Sequence, residues 1–158
     1  MKILRLRLAI FLLISFCLIC VPNQNPVFNY HGADDITYFY YVCAKDLKLE
    51  NVTVTTCGEQ SIVECKPYQA KNIKNKLGQI LGESIRIKNC DNNTIDDILN
   101  NYIDIVLYEE NIDDYRLIYC YDKTLSNNIF LKDKKVNIQI AIKNNEVNIG
   151  YPLILNGF

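Results

Sequence analysis

Residues 134–154, KKVNIQIAIKNNEVNIGYPLI, alternate apolar and polar side chains over two short runs, which is the strongest structural signal in the chain. The apolar positions are Val136, Ile138, Ile140 and Ile142 in the first run, and Val147, Ile149 and Tyr151 in the second. Successive side chains of a strand point to opposite faces, so each run predicts a strand with one apolar face. Asn144 and Asn145 suit a tight turn, while Gly150 and Pro152 are expected to end regular pairing. The stretch therefore predicts an antiparallel hairpin with one buried face and one solvated face.

Five other segments have the composition of β-strands. They are residues 36–47, 51–57, 84–88, 103–108 and 115–121, and residues 129–131 begin the run into the hairpin. The first is rich in aromatic and β-branched residues, which favours a strand buried on both sides. The polar segment 109–114 is expected to be the turn between the last two strands. Ile103, Ile105 and Leu107 are expected to share one face, and Tyr115, Leu117, Tyr119 and Tyr121 another.

The main helix is predicted over residues 67–81, because apolar residues recur there with helical spacing. The apolar positions are Ile73, Leu77, Ile80 and Leu81, and Lys71, Lys74 and Lys76 are expected on the outer side. Pro67 suits the first turn, and Gly82 suits the position just after the last turn. Gly78 inside this helix is expected to cost about 1 kcal/mol relative to alanine.

A shorter helix is predicted over residues 93–101. Thr94 and Asp97 have the spacing of a capping box. Ile95, Ile98 and Leu99 form a small apolar face. Together with the strands, these segments predict an α+β domain: an antiparallel sheet with one main helix and one short helix packed on one face.

The N-terminus has the pattern of an export signal. Lys2, Arg5 and Arg7 precede an apolar run over residues 8–21 that only Ser15 interrupts. A basic flank before such a run is typical of a secretory signal, and no small-residue cleavage site follows it. We therefore expect residues 1–21 to be a signal peptide or a retained membrane anchor, the alternative being a buried N-terminal helix. Residues 22–35 are expected to be a linker, and residues 36–158 a single domain.

The charge of the exported part disfavours nucleic acid as a partner. Without its three N-terminal basic residues the chain keeps 14 of 17 lysines and arginines against 18 acidic residues, a net charge of −4. Binding to a duplex depends mainly on cations that neutralise phosphates. We therefore expect no nucleic-acid partner.

Five cysteines follow the N-terminal segment: Cys43, Cys57, Cys65, Cys90 and Cys120. An odd number leaves at least one thiol unpaired, and no two have C-x-x-C spacing, so neither a redox motif nor a zinc knuckle is indicated. One or two disulfides and free buried thiols both remain open.

Candidate catalytic and metal sites each have a simpler structural interpretation. His31, the only histidine, lies in the predicted linker, and nothing ties it to a nucleophile. The acidic cluster Glu109, Glu110, Asp113 and Asp114 suits a hard cation, but a solvated turn explains it better. Residues 91–97 resemble the start of an EF-hand loop without its glycine at the sixth position, and helix capping explains them better.

Three tyrosines on one predicted strand offer a possible stacking platform for a glycan or peptide. They are Tyr115, Tyr119 and Tyr121. Aromatic residues on one face of a strand more often belong to a core. The sequence also has no P-loop, dinucleotide fingerprint or G-x-S-x-G motif, so we predict no catalytic residues, no cofactor and no metal.

Residues 119–154 resemble the C-terminal signature of the YwmB family, exported TATA-box-binding-protein-like proteins of spore-forming Firmicutes. The matching positions are Tyr121, Leu125, Ser126, Asn137, Ile138, Ile140, Ala141, Ile142, Lys143, Ile149, Gly150, Pro152, Leu153 and Ile154. Tyr151 stands where the family usually has threonine or serine. The resemblance implies a curved antiparallel sheet of the TATA-binding-protein type with helices on one face.

The resemblance does not transfer a function, because one fold hosts many activities. We expect a non-catalytic binding module of the cell envelope that uses the exposed sheet face to bind an envelope protein or glycan. The alternatives are an enzyme acting on cell-wall material and a nucleic-acid-binding protein.

Overall fold

The computed structural model describes Phe28 and residues 35–156 of the 158-residue chain. The predicted signal or anchor, most of the predicted linker and His31 lie outside these described residues. Neither α-helix of the described part is both long and apolar enough to cross a membrane.

Two α-helices and ten β-strands form in the described residues. The helices are α1 (Pro67–Lys76) and α2 (Asn92–Asn100), and one 3-10 turn spans Ile103–Ile105. The strands are β1 (Ile36–Val42), β2 (Thr53–Cys57), β3 (Gln60–Cys65), β4 (Ile80–Ile87), β5 (Val106–Ile112), β6 (Tyr115–Cys120), β7 (Ile129–Leu131), β8 (Lys134–Val136), β9 (Ile138–Lys143) and β10 (Glu146–Tyr151).

Eight of the strands form one antiparallel sheet in the order β2-β3-β1-β4-β10-β9-β6-β5. β7 and β8 form a separate hairpin. The predicted α+β fold, an antiparallel sheet with two helices, is confirmed. The predicted hairpin of residues 134–154 supplies β9 and β10, which lie in the interior of the sheet.

One face of the sheet, which we call the helix face, packs against both helices in the largest apolar cluster. α1 contributes Ala70 and Ile73, its C-cap residue Leu77 also packs there, and α2 contributes Ile98. Buried strand residues of this cluster include Tyr40, Val63, Ile85, Ile87, Cys120, Ile140 and Ile149. Burial of this many branched side chains is the main stabilising term of the fold.

The opposite face, which we call the tail face, is covered in part by residues 153–156 and by the β7–β8 hairpin. Leu153, Ile154 and Val136 pack there against Leu117 and Ala141 of the sheet. A Cβ atom on Gly150 would lie 2.4 Å from the backbone nitrogen of Ile154. Only glycine therefore allows the tail to pass so close. Gly150 does not end strand pairing as predicted, because it pairs with both Gln139 and Ser84 inside the sheet.

The hairpin has no solvated face, contrary to prediction. Gln139 and Asn148, expected to face water, are 6% and 2% exposed. The Oε1 atom of Gln139 accepts a hydrogen bond from the backbone of Ile154, 3.1 Å away, so the polar side chain holds the covering tail. The prediction for Val136 was also wrong. It was expected on the apolar face of the first hairpin strand, but Asn137 interrupts that strand and Val136 packs in the tail-face cluster.

α1 is shorter than predicted. It ends at Lys76, and Ile80 and Leu81 belong to β4. Gly78 therefore lies in the linker between α1 and β4 rather than inside a helix, which avoids its helical cost. Lys74 also points inward, since it follows Ala70 by one helical turn on the buried side.

α2 begins one residue earlier than predicted and has a different cap. The Oδ1 atom of Asp91 accepts a hydrogen bond from the backbone of Thr94 at 2.7 Å, so Asp91 is the N-cap. Thr94 is the third helical residue. The apolar face is confirmed, with Ile98 fully buried and Ile95 and Leu99 packed on the core.

Three strand predictions were wrong in detail. β3 was missed, and the first strand ends at Val42 rather than at residue 47. Residues 103–105 form a 3-10 turn, and β5 continues through the acidic segment to Ile112, leaving only Asp113 and Asp114 as the turn. Strand pairing with β6 overrides the low strand propensity of Glu109 and Glu110. The shared face of Tyr115, Leu117 and Tyr119 on β6 is confirmed by their pairing register.

All five cysteines of the described residues are free thiols. Cys43 and Cys57 are exposed, whereas Cys65, Cys90 and Cys120 are buried. Burial raises the pKa of the Cys65 and Cys120 thiols to about 12. Buried thiols of this kind act as small apolar core residues.

Candidate functional site

A polar concavity of about 450 Å³, which we call the end cleft, lies at one end of the sheet. It is lined by Lys88, Asn89, Tyr115, Lys143, Asn144, Asn145 and Glu146. The lining comes from the segment after β4, the start of β6 and the β9–β10 turn. Its volume falls in the range of small-ligand sites, about 300–1,000 Å³, although its polar lining is less usual for them.

Two asparagines shape the rim of the end cleft. Asn89 and Asn144 have positive φ values of 57° and 51°, a conformation that asparagine tolerates better than most residues. The backbone N–H of Cys90 donates to the carbonyl oxygen of Asn145 at 2.9 Å. This bond joins the segment after β4 to the β9–β10 turn, so the two rim loops are held together.

A cross-strand ladder on the tail face supports the cleft. Arg86 Nε lies 3.1 Å from Asn148 Oδ1 and 3.3 Å from Glu146 Oε1. Asn148 also donates to Glu146 at 2.9 Å. The guanidinium carbon of Arg86 lies 5.0 Å from the ring centroid of Phe39, in cation–π range. Glu146 is therefore held at the cleft rim by two partners.

Tyr115 presents an aromatic ring next to these charged groups. The Nζ atom of Lys143 lies 4.7 Å from the Tyr115 ring centroid and 3.4 Å from Asp114 Oδ2. Lys143 and Glu146 are thus both ion-paired within the protein. The cleft therefore offers hydrogen-bonding groups and an aromatic ring, with much of its charge compensated.

The three-tyrosine platform does not form. Tyr119 is buried on the tail face and stacks on Tyr108, with ring centroids 4.6 Å apart. Tyr121 lies just beyond β6, where its backbone N–H donates to Ile105. Of the three, only Tyr115 lines the end cleft.

The acidic cluster does not converge on a cation site. Glu109 pairs with Arg116 on the helix side of β5, whereas Glu110 bonds Lys132 and Tyr119 on the tail side. Neighbouring strand residues point to opposite faces, which separates the two carboxylates. The Lys132 hydrogen bond holds the pKa of Glu110 below its usual range. In residues 35–156 no three acidic, histidine or cysteine side chains are grouped to hold a metal ion.

The segment resembling an EF-hand loop serves as a helix start instead. The hydrogen bond that Asp91 accepts from Thr94 holds the pKa of the Asp91 carboxyl below its usual range. Negative charge at a helix N-terminus is favoured by the helix dipole. The capping interpretation of this segment is thus supported, although through Asp91 rather than Thr94.

A buried ion pair was missed by sequence reasoning. Lys74 Nζ lies 2.7 Å from Glu83 Oε2, and the two side chains are 7% and 4% exposed. The pair joins α1 to β4. Next to it the hydroxyl of Tyr40 donates to the carbonyl oxygen of Ala70, and burial and the Glu83 carboxylate raise the pKa of Tyr40. The sequence feature that could have revealed the pair is the spacing of Ala70, Lys74 and Leu77, which places Lys74 on the buried side of the helix.

The end cleft could not be located from sequence. Its two loops, Lys88-Asn89 and Lys143-Asn144-Asn145, are recognisable as turns, but they are far apart in the chain. The antiparallel pairing of β4 with β10 brings them together. Comparisons with protein-family models, curated proteins and solved structures found no match to this chain, so membership of the YwmB family stays a prediction.

Proposed function

We propose that this protein is an exported, non-catalytic binding module of the cell envelope and that its ligand binds in the end cleft. The observation that carries the proposal is the cleft itself: a polar concavity with one aromatic ring, two asparagine-shaped loops and ion pairs at two of its charged residues, Lys143 and Glu146. Export rests on the pattern of residues 1–21.

An envelope glycan is the ligand class that this chemistry fits best. Sugar hydroxyls both donate and accept hydrogen bonds, and the amide groups of Asn89, Asn144 and Asn145 can match either role. The Tyr115 ring can cover the apolar face of a sugar. The ion pairs of Lys143 and Glu146 lower the attraction for a strongly charged ligand.

Substitution of Tyr115 tests this proposal. The full-length protein is incubated with purified, insoluble cell-wall glycan and the bound fraction is measured by sedimentation. We expect Tyr115→Ala to weaken retention about tenfold, the equivalent of about 1.4 kcal/mol. Tyr68→Ala is the matched control, because Tyr68 is 84% exposed on α1 and does not line the cleft. Equal retention of both variants, or none by the unsubstituted protein, would contradict the proposal.

A cell-wall-acting enzyme is the rival proposal. Most glycoside hydrolases need two carboxyl groups that flank the scissile bond. The lining of the end cleft contains one carboxylate, that of Glu146, and two side-chain partners occupy it. This arrangement supports binding over catalysis.

Nucleic-acid binding is disfavoured because three of the four cations in or next to the sheet strands, which are Arg86, Lys88, Arg116 and Lys143, are ion-paired. Arg86, Arg116 and Lys143 lie 3.3, 2.9 and 3.4 Å from carboxylate oxygens. Lys74, expected on an outer helical surface, is buried against Glu83. We therefore expect no micromolar complex with duplex DNA in a low-salt gel-shift titration. A tight complex that weakens steeply with added salt would restore the nucleic-acid hypothesis.

A further inference from the structure

The two edges of the sheet differ in how they are protected against pairing with another strand. β5 carries Glu109 and Glu110 at its centre and has a register shift between Val106 and Tyr108. Inward or central charges and bulges are the usual devices that block strand addition at an edge. β5 therefore has two such devices.

β2, at the other edge, has neither device. Its sequence is TVTTC, with no charged residue and no proline, and its register with β3 runs from Thr53 to Cys57 without a shift. Four of its five residues are exposed. In the described part of the chain no strand pairs with its outer side. A regular, uncharged, β-branched edge of this kind is suited to accept another strand.

We propose that β2 pairs antiparallel with β2 of a second copy of this chain and joins two sheets across a two-fold axis. The pairing places Thr55 opposite Thr55 of the second copy, and Thr53 opposite its Cys57. An isologous contact of this kind needs a self-complementary surface. Here no like charges meet within the strand, and threonine pairs on neighbouring strands are favourable.

The composition of β2 favours a second copy over an unrelated peptide. The edge offers no charge to select an oppositely charged partner, whereas its uncharged threonine-rich sequence, TVTTC, is compatible with pairing to itself. The contact is short, five residues on each side, so the dimer is weak and depends on concentration. β5 cannot make the equivalent contact, because symmetric pairing about Glu109 or Glu110 brings like charges together.

Disulfide trapping in the full-length chain tests the pairing and its register. Cys17, Cys20 and Cys43 are replaced by serine, so that Cys57 is the exposed thiol of the described region. Thr53→Cys then puts a second thiol opposite Cys57 of the other copy, at a Cα separation of about 4.5–5.5 Å that suits a disulfide. After oxidation with copper phenanthroline we expect dimer on a non-reducing gel and its loss on reduction.

Thr56→Cys is the matched control, because this residue lies on the same strand but points to the opposite face from Cys57. We expect about tenfold less dimer from it, since its thiol lacks the geometry for a disulfide. Adding Thr55→Lys to the Thr53→Cys variant places like charges on the axis and should remove the dimer. Equal dimer from both cysteine variants, no dimer from Thr53→Cys, or an adduct with a different protein would overturn the proposal.

Sedimentation of the unsubstituted chain gives a second measurement. It does not require any cysteine variant to fold. The chain should dimerise as its concentration rises, and Thr55→Lys should remain monomeric. A monomer at all concentrations for both chains would also overturn the proposal.

Discussion

The two faces of the sheet are buried by different chemistry. The helix face meets α1 and α2 through apolar side chains, such as Val63, Ile140 and Ile149, all fully buried. On the tail face, polar side chains lie among the apolar ones and hold the covering segments, as Gln139 holds residue Ile154. A polar residue in a strand can therefore be buried when the element that covers it supplies its hydrogen-bond partner.

The end cleft lies beside the tail face, at the end of the sheet where the Arg86, Glu146 and Asn148 ladder lies. On the helix face the comparable charged feature, Lys74 with Glu83, is buried beneath α1. The helix face therefore has one ion pair in its core, whereas the Arg86–Glu146 pair of the tail face lies at the rim of the end cleft.

Breaking the buried ion pair is expected to have the largest effect on stability. Lys74→Ala leaves the Glu83 carboxylate buried without this cation, which should cost about 3–5 kcal/mol in the free energy of unfolding. Lys71→Ala is the control on the exposed side of the same helix, and it should change stability by less than about 0.5 kcal/mol. Urea unfolding curves measure both. Similar values for the two variants would show that the pair does not stabilise the helix face.

Adjacent residues of β9 compare the two faces directly. Ile140→Ala removes a fully buried side chain from the helix face and should cost about 2–5 kcal/mol. Gln139→Ala removes the acceptor of the Ile154 N–H on the tail face and should cost about 1–3 kcal/mol. Thermal or urea unfolding measures the stability loss of each variant. Full stability of the Ile140→Ala variant would mean that the two faces are assigned backwards.

Counted for each residue, alkaline pH should produce the smallest of these effects. Burial raises the pKa of the Cys65 and Cys120 thiols on the helix face from 9.0 to about 12. Above pH 9 the unfolded chain loses these protons while the folded chain keeps them, so stability present below pH 9 is lost as the pH rises towards 12. At pH 10 the loss should be about 1.4 kcal/mol for each thiol.

Unfolding curves at pH 8 and pH 10 measure this loss. Cys120→Ala should make the decrease between the two pH values smaller. A decrease unchanged by that substitution would indicate that groups outside the helix face control alkaline stability.

Local patterns predicted most elements of the fold correctly. The alternation in residues 138–151 specified β9 and β10, and the asparagine pair specified the turn between them. The predictions that were wrong concern element boundaries that tertiary contacts determine. α1 ends at Lys76 because residues 80–87 are the strand between β1 and β10, and Glu109 and Glu110 are in a strand because β6 pairs with them.

Periodicity and local conformational preference are enough to predict an α+β chain with an antiparallel hairpin, two amphipathic helices and a tyrosine-bearing strand. Which polar residues are buried depends instead on contacts between distant parts of the chain. Lys74 and Gln139 look solvated from their neighbours in sequence, yet each is buried because a distant residue, Glu83 or Ile154, supplies its partner. The end cleft depends on the same cause: strand pairing brings together two loops that the chain keeps far apart.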